Sequence, residues 1–250
     1  MTIKFIRCIA VVISFTMLNA ISFVCNADNK SIELVSGLSK PPFVIEETNS
    51  GMQLDIIREA FKTDNIDVKF IHLPLARTIT GFQRWDVAGV ITLPEDYQHP
   101  GMYLSEPYIS YQNVAVTLNE SDLSINSVAD LSGKSVAAFQ NAKKFLGDSY
   151  NKVLAYSLDY REIADQSKQI TMLYSRQAEV IVLDVNIFKH FLRENSGAMY
   201  HKAVNIHYIF DERLYVAGFK SEETRDRFDR GIRLIKDNGT YQATLDRYLQ

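Results

Sequence analysis

Cysteine is almost absent from this sequence of 250 residues. Its two cysteines, Cys8 and Cys25, lie near the N-terminus, and none follows them. Because the chain after Cys25 has no cysteine, it can form neither a disulfide framework nor a metal site with thiolate ligands. The sequence therefore argues against a disulfide-rich scaffold and against a cysteine-ligated metal protein.

Motifs for catalysis and nucleotide binding are missing as well. The sequence has no Gly-x-Ser-x-Gly, no Walker A motif and no Gly-x-Gly-x-x-Gly. Its histidines form no His-Glu-x-x-His, and His201 and His207 are six residues apart, which fits neither one helix face nor a usual zinc spacing. We therefore predict no catalytic residue, no metal site and no cofactor.

Positive charge is not in excess. Lys and Arg number 27 against 30 Asp and Glu, and without Lys4 and Arg7 the balance is 25 against 30. Proteins that bind nucleic acid need a basic surface, because phosphate contacts dominate their affinity. A nucleic-acid partner is therefore not expected.

The N-terminus has the pattern of a secretory signal peptide. Lys4 and Arg7 precede a mostly apolar run at 9–18, and Cys25 and Ala27 place small residues three and one positions before a possible cut. A membrane anchor needs about 18 or more apolar residues, and polar side chains interrupt this run. We predict that residues 1–27 are a signal peptide whose removal takes both cysteines with it.

Lipid anchoring at Cys25 is the alternative. A lipoprotein signal usually has Gly or Ala before the modified cysteine, whereas Val24 precedes Cys25 here. We therefore expect the signal peptide to be cleaved without lipid attachment. The secreted product should be soluble and globular, because no later apolar run is long enough to span a membrane.

Beyond the signal peptide, short apolar runs alternate with helical periodicities. We predict strands at 31–37, 68–73, 87–93, 111–118, 135–139, 179–183 and 214–219, and helices at 52–61, 76–84, from 142, at 185–192 and at 221–239. Such alternation indicates an α/β protein with largely parallel sheets. Two successive series, separated by 111–118, indicate two lobes.

Eight short motifs carry a family resemblance through their order and spacing. They are Pro42-Phe43, 51–60, 73–77, 85–87, 104–108, 130–136, 178–184 and 236–241. Their arrangement resembles the family 3 extracellular solute-binding proteins, the amino-acid-type receptors of ABC importers. The resemblance covers essentially all of the chain after the predicted signal peptide.

The resemblance implies an α/β, two-lobed periplasmic binding protein type II fold with two hinge crossings. The crossings are expected near 108–113 and 211–215. Residues 28–110 plus 214–250 would form a discontinuous first lobe, and 111–213 the second lobe with hinge segments at its ends. A solute would lie between the lobes, which close over it.

The implied function is that of a monomeric periplasmic receptor. It would bind a small polar, amino-acid-like solute and deliver it to an ABC permease in the inner membrane. One alternative is a receptor that presents its solute to a membrane sensor protein. Another is an enzyme resembling cyclohexadienyl dehydratase, in which Asp184 beside Arg77 would act as a general acid. We expect a binding protein rather than an enzyme.

Asp184 matches the family acid that binds the ligand's α-ammonium group. It follows a buried strand, and the carboxyl ends of such strands face the crevice where α/β sheets bind ligands. The alternative role is that of N-cap for the helix at 185–192, and both roles can coexist.

The arginine that holds the ligand's α-carboxylate in the family has no match here. Ungapped counting from Pro107 puts Gln98 at its position, and the other alignment puts Asp96 there. Neither has a guanidinium group, which disfavours an ordinary α-amino acid. Arg77 is the substitute that we predict, at a helix start near the cleft mouth, and a solvated surface arginine is the alternative.

Three further side chains complete the predicted binding site. Phe43 matches an aromatic residue of the family's first loop, where it either stacks on the ligand or anchors the loop in the core. Gln140 and Asn141 stand where the family often has a Gly-Thr or Gly-Ser pair. Amide groups at the start of the following helix could bind a carboxylate there, and these two side chains could add hydrogen bonds.

Overall fold

Two β-sheets with flanking helices make up residues 30–250, the part of the chain that the computed structural model describes. The strands are β1 (Lys30–Ser36), β2 (Ile66–His72), β3 (Gly89–Pro94), β4 (Tyr103–Leu104), β5 (Ile109–Tyr111), β6 (Asn113–Leu118), β7 (Ser135–Phe139), β8 (Asp159–Ile163), β9 (Val180–Asp184), β10 (Val204–His207) and β11 (Arg213–Phe219). The helices are α1 (Met52–Lys62), α2 (Leu75–Arg84), α3 (Ala142–Phe145), α4 (Gly147–Leu154), α5 (Ser167–Tyr174), α6 (Val185–Glu194), α7 (Glu222–Asp237) and α8 (Thr240–Leu249). The predicted signal peptide at 1–27 lies outside the described residues.

The first sheet has the strand order β2-β1-β3-β11-β4, and β5 also pairs with β11. Strand β1 pairs in parallel with both β2 and β3, whereas β11 runs antiparallel to each of its partners. The chain therefore returns to this sheet from its C-terminal third, and the sheet is built from two separate stretches of sequence.

The second sheet has the strand order β10-β6-β9-β7-β8. Strand β7 pairs in parallel with β8 and β9, and β6 runs antiparallel to β9 and β10. All five residues of β9 are buried, as expected for a central strand covered on both faces.

The chain passes between the two sheets twice. Strand β5 of the first sheet ends at Tyr111 and β6 of the second begins at Asn113, while the return segment lies between His207 of β10 and Arg213 of β11. The side chain of Gln112 joins these crossings, because its Nε2 donates to the carbonyl of Phe210 at 2.9 Å. The two crossings therefore lie side by side.

The core of the first lobe is formed where α1 packs against the first sheet and α7. Ile57 and Phe61, one helical turn apart, are fully buried, and the Phe61 ring lies 5.5 Å from that of Phe228 in α7. Burying a phenylalanine side chain stabilises a fold by roughly 2 kcal/mol. Gly231 permits this close approach, because a Cβ there would collide with the carbonyl of Ala60.

The last helix, α8, was not predicted. Gly239, with φ +81°, ends α7 in the left-handed region as predicted, and α8 begins at the next residue. Arg193 of α6 donates to the carbonyl groups of Tyr248 at 2.9 Å and Leu249 at 3.3 Å. The C-terminus is thereby tied to a helix of the second lobe. None of the helices within residues 30–250 has the length and apolarity that a membrane crossing requires.

Candidate functional site

A cavity of about 600 Å³ opens between the two lobes, beside the second crossing. Its walls come from the loop after β3, from the α3–α4 region and from the chain that leads into β11. The lining residues are Glu95, Asp96, Val128, Phe145, Leu146, Ser149, Ile209, Phe210, Asp211, Glu212, Arg213 and Leu214. We call this space the interlobe cavity.

Four carboxylates and one guanidinium line the interlobe cavity. The acids are Glu95 and Asp96 on the first-lobe side and Asp211 and Glu212 on the second crossing, and the cation is Arg213. The backbone N–H of Glu95 donates to the carbonyl of Leu214 at 3.3 Å, which holds the acidic loop next to β11. Opposite charges therefore face one small volume.

Arg213 is held in the wall by neutral groups. Its Nη1 donates to the carbonyl of Phe145 at 3.1 Å, and its guanidinium carbon lies 5.5 Å from the Phe145 ring centroid and 5.9 Å from that of Tyr215. Within residues 30–250 it forms no ion pair, although four acids line the same cavity. A guanidinium has five N–H donors, so most of its hydrogen-bonding capacity is uncommitted.

Asp184 lies at the end of β9, where the sequence places it, and is 2% exposed. Its Oδ1 accepts from the backbone N–H of Asn186 at 2.8 Å and of Ile187 at 3.1 Å, so it caps α6. Its Oδ2 accepts from the backbone N–H of Gln112 in the first crossing at 2.8 Å. Burial raises the pKa of Asp184 to about 6, against the opposing effects of these three donors and of Lys40.

Lys40 is a functional candidate that the sequence reasoning missed. Its Nζ lies 5.2 Å from the ring centroid of Tyr111, and its charge interacts with Asp184 of the other lobe. Burial lowers the pKa of Lys40, and the nearby carboxylate acts in the opposite direction. The only signal in the sequence is a cation directly before the prolines of the first loop.

Phe43 is fully buried and stacks on Tyr111, with 3.8 Å between the ring centroids and an interplanar angle of 12°. This position corresponds to the loop anchor that the sequence left open as an alternative. In the described conformation Phe43 has no exposed face for a ligand, and contact with a solute stays a prediction.

A buried amide organises the first crossing. Gln53 of α1 donates to the hydroxyl oxygens of Thr92 at 2.9 Å and Tyr108 at 2.6 Å, and its Oε1 accepts from the Tyr111 hydroxyl at 3.0 Å. Gln53 is fully buried, and Thr92 has φ +65°, which is uncommon for a β-branched residue. This network fixes both tyrosines, and the sequence reasoning did not identify it.

Arg77 and Gln98 lie outside the interlobe cavity. Arg77 is exposed in the first turn of α2, and Gln98 is exposed in the loop after β3. Asp96, from the same loop, does line the cavity. This geometry favours the alignment in which Asp96 stands at the position of the family arginine.

Gln140 and Asn141 are both exposed at the end of β7. Glu162 already accepts hydrogen bonds from the backbone N–H groups of Asn141 at 2.7 Å and Lys143 at 3.1 Å. The helix that follows, α3, has four residues. A ligand carboxylate could use these amide groups only if Glu162 moved away.

Residues 30–250 contain no group of three or more His, Cys, Asp or Glu side chains placed to hold a metal ion.

Comparisons with known proteins agree on one family and one fold. Residues 32–250 match the family described as bacterial extracellular solute-binding proteins, family 3. The ligand-binding core of GluR0 in complex with L-glutamate is 19% identical to this chain, with a TM-score of 0.69. The similarity covers 88% of this chain and 98% of that one. An ancestral arginine-binding protein bound to arginine is also 19% identical, with a TM-score of 0.67 and the same coverages of 88% and 98%.

A third solved structure is a histidine kinase sensor domain with similarity to periplasmic binding proteins. It is 14% identical with a TM-score of 0.68, and 89% of this chain covers 97% of it. No curated protein matches the sequence. At these identities the likeness shows the fold, which is the predicted two-lobed type II periplasmic binding protein fold.

Proposed function

The chain belongs to the bacterial extracellular solute-binding proteins of family 3, and from this premise we propose that it is a periplasmic receptor that closes over a small, amino-acid-like solute for an ABC importer. The family binds small solutes, and two structures of the same fold hold L-glutamate and arginine.

The interlobe cavity is the observation that carries this proposal. Its volume of about 600 Å³ lies within the range of small-molecule sites, roughly 300–1,000 Å³. Both lobes and the second crossing contribute to its walls, so a bound solute would contact parts that move relative to one another in hinge closure. Closure would remove water from the solute and strengthen its polar contacts.

The charges of the cavity fit a zwitterion. An amino acid presents a cationic ammonium group and an anionic carboxylate, and the cavity presents carboxylates and a guanidinium. Asp184 and Lys40 offer a second pair of opposite charges near the first crossing. A neutral sugar could hydrogen-bond to these groups but has no charge of its own to balance theirs.

The domain organisation and location are part of the proposal. We assign residues 1–27 to a signal peptide, 28–110 plus 214–250 to the first lobe and 111–213 to the second. The assignment of the lobes is supported by the two changes of sheet, which occur after Tyr111 and before Arg213.

A thermal screen tests the proposal. The full chain, expressed with its own leader and recovered from the periplasm, would be unfolded and refolded to remove carried-over solute, then melted with amino acids, amines, organic acids and sugars. A ligand at 100 times its Kd adds about 2.7 kcal/mol to stability. For a chain of this size that corresponds to a rise in Tm of roughly 5–10 °C.

The expected result is a rise with amino acids and with no sugar, and a ligand that is recovered chemically unchanged. Conversion of the ligand with time would support the enzyme alternative instead. A protein found in the cytoplasm with its leader intact, or no rise in Tm with any amino acid, would contradict the proposal.

The sensor alternative has support from the sensor domain of the same fold. Purified membranes separate the two roles, since a receptor for import stimulates ATP hydrolysis by its ABC permease when solute is present. Stimulated phosphorylation of a kinase, without stimulated ATP hydrolysis by a permease, would favour the sensor.

A further inference from the structure

We propose that Arg213 binds the anionic end of the solute, a carboxylate or a similarly planar oxyanion, inside the interlobe cavity. This proposal rests on the proposed function and names the part of the solute that the site recognises. It also replaces Arg77, the substitute arginine that the sequence suggested.

The guanidinium of Arg213 is available to a ligand. Its hydrogen bond to the carbonyl of Phe145, at 3.1 Å, uses one of its five N–H donors. It has no ion pair within residues 30–250, although Glu95 and Glu212 line the same cavity. An arginine without a carboxylate partner can offer its planar fork to a carboxylate of the solute.

The side chain of Arg213 is already oriented by its neighbours. Aromatic rings from both sides of the crossing lie near the guanidinium, Phe145 at 5.5 Å and Tyr215 at 5.9 Å. Its backbone is fixed in β11, where Arg213 pairs with Tyr111 of the first crossing. Preorganisation lowers the entropy cost of binding, and weakly hydrated guanidinium tolerates aromatic surroundings.

The described residues offer no second cation in the interlobe cavity. Among the lining residues Arg213 is the only Lys or Arg. Arg77 is exposed on α2, and the two residues that can be aligned with the family arginine, Gln98 and Asp96, carry no positive charge. The amide groups at the start of α3 bind Glu162. Arg213 is therefore the remaining group that can bind an anion in this cavity.

The surrounding acids then select the rest of the solute. Glu95 and Asp96 belong to the loop that hydrogen-bonds to Leu214, the residue after Arg213. A solute whose carboxylate meets Arg213 would therefore place a cationic group close to these acids. The chemical class that fits is an amino acid with an ammonium, amidinium or guanidinium group, rather than a dicarboxylate.

Matched pairs of probes test the role of Arg213. L-arginine and agmatine, L-lysine and cadaverine, and L-histidine and histamine each differ by one carboxylate. Titration calorimetry would measure both members of each pair with the wild type, Arg213→Met, Arg213→Lys and the matched control Arg77→Met. Thermal unfolding of each variant would confirm that it folds.

The wild type is expected to bind at least one amino acid more tightly than its amine. Arg213→Met removes one to two charge-assisted hydrogen bonds, so its affinity for that amino acid should fall by about 10- to 150-fold. This variant should then bind the amino acid and the matched amine with similar affinity. Arg213→Lys keeps the charge without the planar fork and should lose less. Arg77→Met should bind as the wild type does.

Arg213→Lys also guards against misfolding, because it retains a donor for the Phe145 carbonyl. If the amines bind the wild type as tightly as the amino acids, or if Arg213→Met keeps the preference for the amino acid, the role of Arg213 is wrong and the receptor function stands. If the wild type binds none of the twenty amino acids in the thermal screen, the proposed function itself fails.

Discussion

Protonation of Asp184 should change the stability of the protein in a way that one substitution can isolate. The side chain is 2% exposed, and burial raises its pKa to about 6 from 3.8. The native state therefore binds a proton more readily than the unfolded chain does. In Asp184→Asn the group cannot titrate, while the amide oxygen can still accept from the first turn of α6.

The direction and the size of this change in stability follow from the linkage between proton binding and folding. Between pH 3.8 and about 6 the native state holds more protons than the unfolded state, so the contribution of Asp184 to stability is full below pH 3.8 and is lost as pH rises through 6. A pKa change of this size corresponds to about 3 kcal/mol. The free energy of unfolding of the wild type, minus that of Asp184→Asn, should fall by about 2 kcal/mol between pH 4 and pH 7, because the carboxyl group of the unfolded chain is already largely ionised at pH 4.

Urea unfolding followed by far-UV circular dichroism, at pH 4, 5, 6 and 7, would measure this difference for the two proteins. The other carboxylates contribute equally to the free energy of unfolding of both proteins, so their contributions cancel in the subtraction. The opposing effect comes from three backbone N–H donors and from Lys40, which favour the ionised form. If those groups outweigh desolvation, the difference will rise with pH, and the reasoning about burial is refuted.

Three further substitutions test individual contacts by urea unfolding. Gly231→Ala should lower the free energy of unfolding by about 1–3 kcal/mol, since the added Cβ would meet the backbone of α1. Gly37→Ala is the control, because Gly37 has open space around it and its substitution should change stability little. Equal effects of the two substitutions would contradict close packing at Gly231. Gln53→Leu should lower the free energy of unfolding by about 1–3 kcal/mol, because two buried tyrosine hydroxyl groups each lose a hydrogen bond, and a neutral result would contradict a stabilising role for this network. Glu162→Ala should cost about 1 kcal/mol by freeing two backbone N–H groups, and an unchanged midpoint would mean that those hydrogen bonds do not stabilise the native state.

The sequence patterns predicted the strands that are buried in the sheets and missed strands at their edges. The apolar run of β9 lies in the middle of the second sheet. Strand β8, Asp159–Ile163, lies at the edge of that sheet, and its side chains are exposed or half-buried. Its sequence has no apolar alternation because no core requires one, and only the pairing with β7 reveals it.

The candidate site was partly predictable for a related reason. The place of Asp184 at the end of β9 could be predicted because the end of a buried strand is visible in the sequence, while its contact with a solute stays a prediction. Arg213 and Lys40 could not, because a cation in a loop or a hinge strand has the same local pattern as a solvated surface residue. Their significance depends on neighbours such as Phe145 and Tyr111, which are 68 and 71 residues away along the chain.

The Gln53 network shows a further limit of sequence reasoning. Gln53 belongs to an α1 pattern that predicts a helix correctly, yet a glutamine in a helix is usually a surface residue. Its burial is explained by the hydroxyl groups of Tyr108 and Tyr111, which come from a distant crossing. Such a network can be recognised only once the fold brings its members together.

Small-angle X-ray scattering would show whether the two lobes close on a solute. The refolded protein would be measured alone and with the amino acid that raises its Tm most. We expect a smaller radius of gyration with the solute than without it, because the lobes come together around the interlobe cavity. A radius that stays the same at saturating solute would contradict closure.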